Sequence, residues 1–372
     1  MILFYGSSLN FTDLPIETFA TPNGPLWALI HEESARNMPA LLHNVSLNLF
    51  NFSSTFSRFS SFPLTTQHLP SLQDLVGNEF TVPLSKKNEL LSKLAPVLYI
   101  QSDCNTPVDR DSYVAELMKY IPVDSYGKCL NNKQLPQEIE DRMETLNAKE
   151  SSKKFLHFIA QYKFVISFEN SVCHDYITEK LWRPLIAGSI PIYHGSPTIQ
   201  DWLPNNKSAI LVTNFESPAT LGAFIRQLNR NNSEYMSYLS HKKEESFPAF
   251  NFANDNFSNF ISNNRLVKTM MERPWVTDGN SGTQFPDAFE CFLCHQLSNL
   301  SAVQIVDESH YSCPEPVSML SGQINESNWW HDQWRIGKCE GLLLRDVLHT
   351  KKAISANEFT EKLKSYLNLD NC

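Results

Sequence analysis

Between residues 97 and 270 short apolar runs alternate with amphipathic ones, and this alternation constrains the fold more than any other feature of the chain. "PVLYIQS" reads as a strand, "DRDSYVAELMKYI" as a helix with Val114, Leu117, Met118 and Ile121 on one face, and "PVDSYG" as a short strand. "SSKKFLHFIAQYK" reads as a helix and "FVISFE" as a strand. "DYITEKLWRPLIAG" reads as a helix that stops at Gly188, with Asp175 as its N-cap. "IPIYHG" and "SAILV" follow as strands, then "SPATLGAFIRQLNRN" as a helix capped by Ser217 with Pro218 in its first turn. Strands alternating with helices predict an α/β fold: a parallel sheet with helices on both faces. Such sheets bind ligands beyond the carboxyl ends of their strands.

The flanking regions differ. Residues 1 to 96 read as a smaller, less regular domain, with strands in "ILFYG" and "LWALIHEES" and an extended segment in "SLNLFNFSSTFSRFSSFPL". Residues 271 to 372 read as an extension that carries "CFLC", "SCPEP", the Trp-rich "NWWHDQW" and a final helical pattern. At 372 residues there is material for two cores.

The net charge of -9 argues against a nucleic-acid binder, which needs a basic face against phosphates. No apolar run approaches the roughly 18 to 20 residues that span a bilayer. Met1 runs directly into "ILFYGSS", without the pattern of a signal peptide. Eight cysteines and N-x-S/T sequons such as Asn10, Asn44 and Asn325 lean toward an oxidising, secretory compartment.

Chemistry concentrates in "FENSVCHDYITEKLWRPLIAGSIPIYHGSP". Asn170 follows a strand, at the ligand edge of the sheet. Tyr176, Glu179 and Lys180 are expected on the first turns of the next helix, with Tyr176 and Lys180 on one face. A helix N-terminus favours an anion, Lys180 adds a cation, and Glu179 can accept two hydrogen bonds from a ribose diol. That set suits a sugar nucleotide. Arg110 opens a neighbouring helix, where a guanidinium can bind a diphosphate. Asp109 and Asp111 flank it at D-x-D spacing, which metal-dependent sugar transferases use. Acids in a first helical turn are favoured by the dipole in any case, so no metal is expected.

In "WALIHEES" the adjacent Glu32 and Glu33 close a strand beside His31. Alternation lets only one of them face a cleft, where it could serve an acceptor hydroxyl as general base. Cys291-x-x-Cys294 reads as a zinc half-site, a redox pair or a tight disulfide. Cys104 and Cys129 flank a strand-helix-strand unit, and a bridge between them is compatible with that placement. No dinucleotide, P-loop, serine-hydrolase or zincin motif is present.

"FENSVCHDYITEKLWRPLIAGSIPIYHGSP", "DRDSYVAELMKYIPVDSYGKCLNN" and "DWLPNNKSAILV" resemble the blocks of the alpha-1,3-fucosyltransferase family, glycosyltransferase family 10. "WALIHEES", "LFNFSSTFSR", "DAFECFLC" and "SCPEP" resemble its subgroup of protein O-fucosyltransferases that act on EMI domains. The resemblance implies a GT-B architecture: two Rossmann-like domains facing across a cleft. On that scheme residues 1–96 form a partial acceptor-side domain, 97–270 the GDP-fucose-binding domain and 271–372 an extension. It implies GDP-fucose as donor, inversion at the anomeric carbon and no obligatory metal or other cofactor. It assigns the diphosphate to Arg110, Tyr176 and Lys180, the ribose to Glu179, the fucose and phosphate end to Asn170, and the base to Glu33. The implied acceptor is a Ser or Thr hydroxyl of an EMI-like protein domain. N-acetylglucosamine of a glycan is the alternative, and a non-catalytic GDP-fucose-binding protein is an alternative of another class. Family members work in the lumen of the endoplasmic reticulum or Golgi on a membrane anchor. That anchor is absent from this sequence, whose N-terminal domain therefore reads as truncated.

Overall fold

The computed structural model describes residues 1–15, 24–139, 149–242, 264–275, 284–299, 304–350, 354–368 and 372. Two parallel sheets organise them. The first contains β1 (Ile2–Tyr5), β2 (Trp27–His31) and β3 (Phe52–Thr55) in that order. β2 is central and buried along its whole length, which its run of Trp27, Ala28, Leu29 and Ile30 allows.

The second sheet contains β4 (Val97–Gln101), β5 (Val123–Gly127), β6 (Phe164–Phe168), β7 (Ile190–His194) and β8 (Ile210–Leu211), in the order β5-β4-β6-β7-β8. Its connecting helices include α1 (Arg110–Leu117), α2 (Lys149–Ile159), α3 (Glu179–Ala187) and α4 (Pro218–Arg230). Each strand expected from the alternation is present, and Ser217 and Thr220 form a capping box at the start of α4. The fold is α/β, as expected, with two parallel α/β units in one chain.

The order matters for ligand binding. β4 is the first strand of its unit, and the next two strands lie on opposite sides of it. The connections therefore reverse direction at β4 and β6. A crevice opens beyond the carboxyl ends of strands at such a switch point. β4 and β6 pair only at Val97–Phe164 and Leu98–Val165. Beyond those pairs the two strands separate.

Residues after 303 return to the first unit. Val306, Tyr311, Leu343, Leu344 and Val347 share a core with Trp27, Leu29, Leu41 and Phe50. A further helix, α5 (Phe285–Ser298), packs Phe289 and Leu293 against Ala28, Phe52 and Phe62. The long α6 (Trp329–Thr350) crosses Pro39–Leu42 and Asn44–Leu47. Disulfides join Cys104 to Cys129, Cys173 to Cys313 and Cys339 to Cys372. Cys291 and Cys294 are free and exposed on α5, so the tight disulfide between them is not formed. Among the described residues no helix is long and apolar enough to cross a membrane.

Candidate active site

Arg110 fills the gap where β4 and β6 part. Its Nη1 donates to the Phe168 carbonyl at 3.0 Å, at the end of β6. Its Nη2 donates to Gln101 Oε1 at 2.9 Å and to the Asp103 carbonyl at 2.7 Å, at the end of β4. Only 1% of the residue is exposed, and its Nε has no partner. The oxygens that hold this guanidinium are neutral, so none of them compensates its charge. Asn170, two residues beyond β6, likewise has a buried Oδ1 without a partner. Buried polar atoms are normally satisfied, so these two mark where a ligand would bond.

The helix beside the crevice starts later than the sequence suggests. α3 begins at Glu179, and its N-cap is Thr178, whose side chain accepts from the Lys180 backbone N–H. Asp175 is therefore not the cap. It sits in left-handed backbone (φ 64°), and its carboxylate accepts bonds from Arg58, Thr198 and Trp202. A carboxylate with that many tertiary donors has no reason to cap a helix. Tyr176 consequently precedes α3 and does not share a helical face with Lys180. It is buried in the core of the first unit, edge-on to Phe56 with ring centroids 4.9 Å apart.

Glu179 and Lys180 do reach the crevice together. Lys180 Nζ lies 3.3 Å from Glu179 Oε1 and 3.7 Å from Glu169 Oε2, and the Lys180 and Glu179 side chains remain 20% and 29% exposed. Burial pulls the ammonium down, but the fields of Glu179 and Glu169 outweigh it and raise Lys180 above its usual value. Burial likewise pushes Glu179 up, yet Lys180, His68 and Arg183 together hold its carboxyl well below the usual range. Glu169 has an internal task. Its carboxylate accepts from Thr178 N and Oγ1 at 2.8 and 2.7 Å, which ties the end of β6 to the start of α3.

On the opposite wall, β2 ends at His31, and the two glutamates beyond it diverge. Glu32 Oε1 accepts from Tyr5 on the neighbouring strand at 2.7 Å. The carboxyl of Glu33 lies in the fields of Lys180 and Glu179 and of its neighbour Glu32. Burial is the main cause that raises it above the ordinary glutamate range, and Lys180 opposes that rise. Tyr311 braces this corner: its hydroxyl donates to the Glu33 carbonyl at 2.9 Å and lies 2.8 Å from His31 Nδ1. His31 itself is buried and held neutral, pushed down to about 3. Lys180 thus lies in the fields of Arg110, Glu179 and Glu169, and Glu33 lies in the field of Lys180.

The D-x-D pair is divided between two structural tasks. Asp109 accepts from Asn325 and Asn328 at 2.8 and 2.6 Å, and Asp111 accepts from Tyr99 at 2.7 Å. Two residues of the site region went unread in the sequence. Arg58 grips Asp175 from the first unit, and His68 Nδ1 lies 3.9 Å from Glu179. Arg58 closes the "LFNFSSTFSR" block without an assigned role there, His68 stands in no quoted block, and both reach the site through the packing of distant segments.

Residues 90–274 match the model for "Glycosyltransferase family 10 (fucosyltransferase) C-term". The GDP-fucose protein O-fucosyltransferase 3 of Xenopus tropicalis is 40% identical over 96% of this chain and 74% of its own length. The chain belongs to glycosyltransferase family 10, the fucosyltransferases. The dog (Canis lupus familiaris) protein of the same name is 42% identical, over 96% of this chain and 73% of its own. Among solved structures, an alpha1,3-fucosyltransferase with GDP-fucose aligns at a TM-score of 0.41 and 19% identity, covering 70% of this chain and 79% of that one. Within the family-10 chain described here, the family match spans all five strands of the second sheet and every donor-side residue of the candidate site.

Proposed function

We propose that this family-10 fucosyltransferase transfers L-fucose, with inversion, from GDP-fucose to Ser or Thr hydroxyls of a protein acceptor. The observation that carries the reading is that Glu33, just beyond β2 of the first sheet, lies in the field of Lys180 from the second unit. An inverting displacement needs a base on one face of the sugar carbon and charge compensation on the other. The name shared by the relatives at 40 to 42% identity supports a protein acceptor.

In this reading Arg110 and Lys180 hold the diphosphate, Glu179 accepts from the ribose hydroxyls, and Asn170 supplies its free amide oxygen at the fucose end. Tyr176, as buried as Arg110, reaches the donor only through its hydroxyl. Glu33 takes the acceptor proton as the hydroxyl oxygen attacks the anomeric carbon. The bond from that carbon to the phosphate oxygen breaks, and the departing negative charge is met by the two cations. No step calls on a metal. The three disulfides fit an oxidising lumen, and the secretory pathway is the proposed location.

The test is transfer from labelled GDP-fucose by the purified chain to a folded EMI domain, with a lactosamine glycan in parallel. The expected result is label on the EMI domain that survives EDTA, and loss of both GDP affinity and turnover in Lys180→Met. Label on the glycan alone would overturn the protein acceptor. GDP binding without transfer to either would overturn the enzyme reading.

A further inference from the structure

We infer that Arg58 is a positioning residue: it fixes the donor-side loop 175–178 against Glu33 across the two units, an inference that rests on the fucosyl-transfer reading above. Arg58 follows β3 of the first sheet, and everything it grips belongs to the second unit. Its backbone N and its Nε donate to Asp175 Oδ2 at 3.0 and 2.8 Å, and its Nη2 donates to Oδ1 at 2.6 Å. Its Nη1 donates to Asp201 Oδ2 at 2.6 Å, and its guanidinium lies 5.0 Å from the Trp202 ring centroid. The side chains of Arg58 and Asp175 are 14% and 1% exposed, so this contact is not a solvated surface pair.

Asp175 is over-determined. Beyond Arg58, its Oδ1 accepts from Thr198 Oγ1 at 2.6 Å and from Trp202 Nε1 at 2.9 Å. Its backbone N–H is directed at Ser196 Oγ and Thr198 Oγ1. Its φ of 64° is unfavourable for a residue with a Cβ, and such a conformation persists only where the surroundings impose it. The consequence falls on the next residue. The turn sends Tyr176 into the first unit's core against Phe56, two residues before Arg58, and brings its hydroxyl to Ser34, the neighbour of Glu33. Thr178 then caps α3 and presents Glu179 and Lys180. The segment 56–58 thus holds 175 and 176 at once and sets how far the donor cations stand from the base.

Donor contacts and alignment are separable here. Arg110, Asn170, Glu179 and Lys180 all belong to the second unit, so a loosened Arg58 leaves them able to bind GDP. What loosens is the spacing between donor carbon and base, where a displacement of about 1 Å costs on the order of 100-fold in rate. Lysine cannot restore that spacing, because it lacks the planar fork that engages both oxygens of Asp175.

The experiment compares wild type with Arg58→Lys, Arg58→Met and the double variant Arg58→Met/Asp175→Asn. It measures kcat and KM for transfer to the protein acceptor, Kd for GDP, and Tm. The double variant removes the buried unpaired carboxylate that the single Met variant leaves, and so guards against simple misfolding. The expected result is a fall in kcat of about 100-fold in folded Arg58→Lys and in the double variant, with GDP affinity retained within about threefold. Wild-type kcat in any folded variant would overturn the inference, and so would parallel loss of kcat and GDP affinity in step with the folded fraction. A wild-type chain that binds GDP but transfers nothing would overturn the function reading along with this one, and it is scored before any variant is made.

Discussion

At the scale of single residues, the site depends on what surrounds each charge more than on which charges are present. Glu32 and Glu33 are chemically identical neighbours. One accepts from Tyr5, while the other, half-buried, lies in the field of Lys180. For Glu33 the sign of the pH effect follows directly. A general base acts when deprotonated, so transfer rises as pH climbs through a pKa that burial has raised. The acid limb of kcat/KM is expected above the roughly 4.3 of a free glutamate. Lys180 opposes the rise, so Lys180→Met moves that limb further up on whatever activity remains. Glu33→Gln is expected to keep GDP affinity by calorimetry while transfer falls by about 10²- to 10⁴-fold. Near-normal turnover in that variant would remove Glu33 from the mechanism. The residue types of the donor site are legible because Asn170, Tyr176, Glu179 and Lys180 cluster within one stretch of sequence and Arg110 opens a neighbouring helix. Asp175 reads as a cap because a cap is a local inference, whereas its actual donors are Arg58 and the 198–202 turn, which carries Thr198 and Trp202.

At the scale of elements, close approach of backbones decides how the ends of the chain meet. α6 crosses the first unit on Gly337 and Gly341, one turn apart on the same face. A Cβ at Gly337 would stand 2.6 Å from the Pro39 carbonyl carbon and 2.7 Å from the Ala40 nitrogen. Backbone atoms cannot swing aside as side chains do. Gly337→Ala is therefore expected to push α6 off Pro39–Leu42 and destabilise the protein by about 1 to 3 kcal/mol, despite the higher helix propensity of Ala. Urea unfolding measures it, and an unchanged or raised midpoint would contradict the tight crossing. The strands of the second sheet were readable because each is a short apolar run between turn residues. This crossing was not, since two glycines in a helical pattern carry no signal until the partner backbone is known.

At the scale of the whole molecule, the two units are linked by covalent and ionic ties around the site. Cys173, just beyond β6, is bonded to Cys313, 140 residues later, where the chain has returned to the first unit. Closing so long a loop stabilises by about 5 kcal/mol in the chain-entropy account. Cys173→Ser/Cys313→Ser is expected to lose up to that amount in urea unfolding and to lower transfer more than it lowers GDP binding. A double variant with wild-type stability would show that the ionic ties and packing hold the units unaided. The pairing was open from sequence, because eight cysteines admit many connectivities and only proximity in the fold selects among them.

The sequence by itself determined the α/β class, the parallel sheet at 97–211, the family and the chemical types at the donor edge. These follow from periodicity and from residues that are neighbours in the chain. The tertiary structure alone decided which glutamate faces the cations, why Asp175 is bent into left-handed backbone, and that Arg58 rather than a helix cap controls the loop carrying Tyr176. Each of these depends on contacts between segments more than 100 residues apart. Burial and field at such contacts are set by packing, and packing has no local signature in the chain.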